Sequence, residues 1–166
     1  MRNSKMKGFT LIELIVVIAI IGVLAAILVP SMIGYVGDSK YSTANSNAKL
    51  AYTNTATWCT KCEVKGKSVI VKTAKTENKG LEKAATTEPA WDGTKEADLI
   101  LALQSLMGGK TGAGDACVWI ESQSPKQTQW CKDSANDSYV GNYPDEARKD
   151  NKYKFGTEKP EAATKS

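Results

Sequence analysis

Residues 9–37 read FTLIELIVVIAIIGVLAAILVPSMIGYVG, and Glu13 is the only charged side chain among them. From Leu14 to Val29 no charged or strongly polar side chain occurs, and Ile, Val, Leu and Ala predominate. A stretch apolar on every side, with no alternation of period two, reads as a helix with no polar face. At about 1.5 Å rise per residue, a helix through Val36 is long enough to cross a hydrocarbon core of about 30 Å. Whatever lies beyond must therefore be built around one long N-terminal helix.

Upstream, MRNSKMKG carries Arg2, Lys5 and Lys7 and no acid. The 166-residue chain has a formal charge of +4, from 22 Lys+Arg against 18 Asp+Glu. Without residues 1–8 the count is 19 against 18, so most of the net basicity belongs to this short stretch. The remaining lysines are scattered among acids, which is a solvated surface and not the clustered footprint of a nucleic-acid binder. A basic flank ahead of the apolar helix, with none after it, places the N-terminus in the cytoplasm and the rest across the membrane. A secretory signal peptide is the rival reading. It calls for a shorter apolar stretch and small residues at the cleavage site, and Leu28-Val29-Pro30 does not supply them.

A plain anchor leaves Glu13 unexplained, since a carboxylate within a membrane helix costs about 2.5–3.5 kcal/mol on insertion scales. The string Lys7-Gly8-Phe9-Thr10-Leu11-Ile12-Glu13-Leu14, followed by an apolar helix reaching Pro30, resembles the start of type IV prepilins with a class III-type leader. The resemblance covers about residues 5–37 and extends to the pseudopilin relatives. It implies removal of residues 1–8 by a prepilin peptidase between Gly8 and Phe9, and N-methylation of Phe9. It also implies a filament-assembly role for Glu13, whose carboxylate pairs with the Phe9 amine of a neighbouring subunit. Gly22–Pro30 is the segment that family members often unwind in the filament. Pro30 removes one backbone donor, so a gentle kink is the alternative.

Beyond Gly37 the helical period persists in Tyr41, Ala44, Ala48, Ala51 or Tyr52, and Thr55, which predicts one helix from about Thr10 to Trp58. Its first half is apolar all round and its second half amphipathic. Lys67–Thr73 (KSVIVKT) reads as a short strand, and 74–93 as a polar loop. Thr94–Met107 reads as a second helix with Ala97, Ile100, Leu101 and Leu103 or Leu106 inward, ended by Gly108 and Gly109. Ala116–Ser122 and Thr128–Lys132 form an expected hairpin, with a weaker strand at Lys152–Phe155. The charged tail Gly156–Ser166 is expected to be mobile.

The chain has no histidine, which excludes a Ser-His-Asp triad, a Cys-His dyad and any His-ligated metal site. Cys59, Cys62, Cys117 and Cys131 allow three disulfide connectivities. A turn centred on Ser124 sets Cys117 opposite Cys131, and Cys59 and Cys62 are close along a helix. The expected pairs are therefore Cys59–Cys62 and Cys117–Cys131, although crossed pairs would close longer loops. Zinc is disfavoured by the thirteen intervening residues between Cys117 and Cys131. A redox role is disfavoured because Cys59-Thr60-Lys61-Cys62 follows a helix. The acids at Asp145–Asp150 lack the dense alternating Asp/Asn/Gly pattern of a calcium loop, so no metal and no cofactor is expected. Trp119 and Trp130, if they share a face of the hairpin, would offer a sugar platform, with core filling as the alternative.

The expected fold is α+β: a long N-terminal helix packed on a small antiparallel sheet. Its expected divisions are residues 1–8 (leader), 9–37 (membrane and filament-core helix), 38–155 (head) and 156–166 (tail). No catalytic constellation is present, so an enzyme is not expected. The resemblance implies a structural pilus subunit acting in adhesion or motility, or alternatively a pseudopilin of secretion or DNA uptake. Its implied partners are other pilin subunits, prepilin peptidase, the inner-membrane assembly machinery and membrane lipid; a polysaccharide or host surface is a further expected ligand, the polysaccharide from the tryptophans. It places the chain as single-pass in the cytoplasmic membrane and, once assembled, in a surface pilus.

Overall fold

The computed structural model describes residues 8–136 and 139–160. Helix α1 runs Leu11–Val64, and the contacts divide the chain between Gly37 and Asp38 into two units. In the first, every described residue from Gly8 through Val36 is exposed, including Ile12, Ile27 and Ile33 at 70% or more. This stretch is long and apolar enough to cross a membrane. The helix is continuous through both Gly22 and Pro30. Pro30 withdraws only one donor from the ladder, which a helix of this length absorbs locally.

In the second unit α1 buries Tyr41, Ala44, Asn45, Ala48, Ala51, Thr55, Trp58, Cys59 and Cys62, a stripe recurring every three or four residues. Small alanines on that stripe let the sheet approach closely. Four strands, β1 (Thr73–Lys75), β2 (Asp115–Glu121), β3 (Ser124–Cys131) and β4 (Gly141–Tyr143), lie in the order β1-β2-β3-β4 with every pair antiparallel. Thr128 Oγ1 donates to the Ala48 carbonyl at 2.6 Å. Gly141 lies so close to the helix that an added Cβ would stand 2.0 Å from the Ala44 carbonyl carbon. Asn45 completes the join: its amide donates to Ala147 O (2.8 Å) and its carbonyl accepts from Asn142 N (3.0 Å) and Ala147 N (3.1 Å).

Helix α2 (Glu96–Met107) contributes Leu99, Ala102 and Leu103 to the core around Trp58, Leu81, Val118 and Trp130. Leu103 faces inward and Ile100 packs against the core as expected, but Ala97 is exposed and Leu99 and Ala102 are buried instead. The buried carboxylate of Asp98 sets the rotation: it accepts the Trp58 indole N–H at 3.0 Å, and polar anchoring at that position turns Leu99 inward beside it.

The expected strand at 67–73 shifts to Thr73–Lys75. Val69 and Val71 are buried, but Ile70 N and Val71 N donate to the Gly93 carbonyl, not to a strand partner. The 74–93 stretch holds a short 3-10 turn at Gly80–Glu82. The hairpin turn falls at Ser122–Gln123, both with positive φ (51° and 62°), and a bulge separates Trp119 from Ile120. Strand β4 was not expected, while the weak strand at 152–155 reduces to one bridge, Tyr153 with Pro160. The first part of the charged tail is held to the sheet: Gln129 accepts from Gly156 N (2.8 Å) and donates to Thr157 O (2.6 Å), and Gln127 donates to Glu158 O (3.0 Å). Residues 161–166 lie outside the described residues, as do 1–7 of the expected leader.

Candidate functional site

Gly8 and Phe9 precede the first helical residue, and Phe9 is 87% exposed. A Cβ at Gly8 would meet nothing within 4 Å. The Gly8–Phe9 peptide therefore lies outside the helix.

Thr10 caps α1 and Glu13 completes the cap. Glu13 N donates to Thr10 Oγ1 at 3.3 Å, while Glu13 Oε2 accepts from Thr10 N at 2.8 Å and from the Thr10 hydroxyl at 2.7 Å. This is the reciprocal capping box, in which a Thr and a Glu three residues apart satisfy backbone donors that the first turn leaves unpaired. Thr10 is the residue that sequence reasoning missed, although Thr-x-x-Glu ahead of an apolar run is its signature. Two hydrogen bonds to one oxygen reduce the cost of carrying a carboxylate into hydrocarbon. Among the described residues the other oxygen, Oε1, accepts none. A cut after Gly8 would leave an ammonium at Phe9, next to the positive end of the helix dipole, where a nearby carboxylate compensates it.

The structure holds all four cysteines as buried thiols. Cys59 and Cys62 lie in the core with Ala116, Val118 and Trp130, whereas alternation along β2 and β3 turns Cys117 and Cys131 to the opposite face of the sheet. That placement separates the partners that crossed pairs would require. The expected direct opposition of Cys117 and Cys131 is corrected: Cys117 pairs with Gln129, and Cys131 with Asp115. The turn lies nearer Cys117 than a centre at Ser124, so the two cysteines are diagonal neighbours, about 7–8 Å apart and beyond the usual disulfide span. Burial pushes the thiols of Cys59 and Cys117 up to about 12, with the charges of Cys62 and Glu63 adding to it at Cys59. Cys62 is raised as well, chiefly by burial. Such neutral thiols are poor nucleophiles.

Trp119 and Trp130 are each 7% exposed and occupy opposite faces of the hairpin, so they form no shared platform. Trp130 donates its indole N–H to Ala113 O at 2.7 Å. Asp145, in the acidic stretch 145–150, accepts the Tyr153 hydroxyl at 2.5 Å.

One long apolar helix continuing into an antiparallel four-stranded sheet defines a pilin-like α+β protein. The family model for the prokaryotic N-terminal methylation motif matches residues 3–29. The chain is similar to the type IV major alpha-pilin of Moraxella bovis, 36% identical over 124 residues and covering 72% of each chain. It is also similar to the type IV major pilin protein PilA of Myxococcus xanthus, 53% identical over 51 residues, 31% of this chain and 23% of the relative. A third relative is the type IV wide pilus major component PilA4 of Thermus thermophilus, 48% identical over 56 residues, 34% of this chain and 37% of the relative. The chain thus spans about a quarter of the Myxococcus protein and nearly three quarters of the Moraxella one. No solved structure is a significant match. The chain belongs to the type IV pilin family, whose members are structural proteins and not enzymes.

Proposed function

We propose that this chain is a structural subunit of a type IV pilus, polymerising through the apolar half of α1 into a surface filament that serves adhesion or motility. The observation that carries the reading is the capped, fully exposed apolar helix bearing one carboxylate in its first turn. Before assembly this helix sits in the cytoplasmic membrane with its N-terminus in the cytoplasm. Prepilin peptidase removes residues 1–8 between Gly8 and Phe9, and Phe9 is methylated on its new amine. Glu13, with Oε1 open, then receives the Phe9 ammonium of a neighbouring subunit while Thr10 keeps its hold on Oε2. Lipid tails are as apolar as the helix, so association rests on close packing, and the buried ion pair sets register. Extraction from the membrane passes through the inner-membrane assembly machinery, and Gly22–Pro30 unwinds as subunits pack. In the oxidising space outside the cytoplasm, Cys59–Cys62 and Cys117–Cys131 are the pairs that share a side of the sheet, and each requires local adjustment to close.

The relatives are named as major pilus components, which favours a pilus over a pseudopilin. Immunogold labelling of the head on whole cells, with mass spectrometry of the purified subunit, tests this. Labelled fibres built from subunits that begin at a methylated Phe9 are expected. A subunit that retains residues 1–8 and stays in the membrane fraction contradicts the reading.

A further inference from the structure

Of the four tryptophans, Trp58, Trp119 and Trp130 are buried, and Trp91 is half-buried, with one side against the core. Its backbone is left-handed at φ 59°, a conformation that a bulky side chain disfavours. The surrounding structure imposes it. Buried Asp98 accepts the N–H groups of Ala90, Trp91 (2.9 Å) and Asp92 (3.4 Å). Gly93, also at positive φ, leaves no room for a side chain, since a Cβ there would stand 2.5 Å from the Ser68 carbonyl oxygen. Lys65 Nζ donates to Ala90 O at 3.2 Å. Filling a core does not call for a strained loop fastened at so many points, and a ring that must be presented in one orientation does.

The ring lines an open cleft of about 560 Å³ with Lys61, Thr86, Thr87, Glu88 and Ser105. Lys61 Nζ stands 4.1 Å from the ring centroid. We propose that this cleft is a saccharide site, taking a hexuronate residue of an acidic polysaccharide with its carbon face on the Trp91 indole. The aromatic face supplies the apolar surface, and the hydroxyls of Thr86, Thr87 and Ser105 with the Glu88 carboxylate supply partners for sugar hydroxyls. A stacked sugar displaces the exposed Lys61 ammonium from the ring. A neutral sugar offers that ammonium only hydroxyl acceptors, whereas a uronate carboxylate takes it in a stronger charge-assisted hydrogen bond. All these residues belong to the head, so binding does not depend on polymerisation.

The test is calorimetric titration of the detergent-solubilised full-length chain with tetragalacturonate. Saturable binding is expected, weakened by about tenfold in Trp91→Ala, kept in Trp91→Tyr, and weakened several-fold in Lys61→Gln. Neutral tetra-N-acetylchitotetraose should bind the wild type about tenfold more weakly than tetragalacturonate, with the difference largely gone in Lys61→Gln. Two results overturn the site: no saturable binding of tetragalacturonate, or binding unchanged in both Trp91→Ala and Lys61→Gln. Equal wild-type affinity for the two tetrasaccharides overturns the acidic-sugar assignment. Each of these outcomes is independent of filament yield, so it leaves the assembly proposal standing.

Discussion

Replacing Asn45 with alanine should loosen the C-terminal third of the head from α1. The side chain is 8% exposed and forms three hydrogen bonds across more than ninety residues of sequence, to Asn142 N and to both backbone groups of Ala147. Asn142 and Ala147 are themselves 1% and 0% exposed, so water cannot replace what is removed. Each buried group left unpaired costs about 1–3 kcal/mol, and with partial relaxation the three together cost about 3–5 kcal/mol. A guanidinium slope of about 4 kcal/mol per molar turns that into a midpoint lowered by about 1 M. All four tryptophans lie in the head, so tryptophan fluorescence of the detergent-solubilised chain follows this unit selectively. The control is Ser46→Ala, one residue along, exposed and bonded only to its own helix at Ser42 O. It should stay within about 0.5 kcal/mol of wild type. If the Asn45→Ala midpoint matches that control, the helix is not pinned as described.

Gly141→Ala should destabilise the head by more than an ordinary surface change, because its Cβ would fall 2.0 Å from the backbone carbon of Ala44 and neither partner is a flexible side-chain end. A fluorescence midpoint equal to wild type would show that β4 does not approach α1 so closely. Thr10→Val removes the helix cap, worth about 0.5–2 kcal/mol, and should raise hydrogen exchange at residues 11–13 in detergent while leaving the head unchanged. At Asp115, burial acts to raise the carboxyl, but the N–H groups of Gly80 and Lys79, with the N–H and hydroxyl of Ser134, outweigh it and hold the group below the usual carboxylate range. A carboxyl lowered by folding adds stability that is present above its unfolded value and lost as pH falls through the folded one. Asp115→Asn should therefore flatten the loss of head stability between pH 5 and pH 2 (measured as denaturation midpoints), and a slope equal to wild type would refute the role.

The parts of this molecule that were legible in the sequence are those governed by local periodicity. The apolar run and the three-and-four spacing from Tyr41 to Thr55 describe α1 because a helix needs no distant partner to define its face. Thr10 is equally legible, as the first member of a Thr-x-x-Glu cap ahead of an apolar run. The hairpin register was not legible. Ser122 and Gln123 both take positive φ without being Asn or Gly, so the turn carries no signature of its type, and a bulge shifts the strands again. Strand β4, Gly-Asn-Tyr, has no β-branched residue, and its position follows from the glycine's contact with Ala44 and the reach of Asn45 from the helix. The same holds for 156–160, charged by composition yet held by the side-chain amides of Gln127 and Gln129. Trp91 stood out only as one tryptophan among four; its φ and the bonds that impose it are tertiary facts.

The central claim is that the charge on Glu13, and not merely its place in the helix cap, is needed to set the register of each added subunit. Glutamine at the third helical position still serves a capping box, so Glu13→Gln keeps the Thr10 contacts while removing the charge. The decisive measurement is the amount of sheared surface filament relative to the processed subunit left in the membrane, for wild type, Glu13→Gln and Glu13→Val. Normal membrane insertion and processing with filament lost in both variants is the predicted result. Filament at the wild-type level from Glu13→Gln would contradict it.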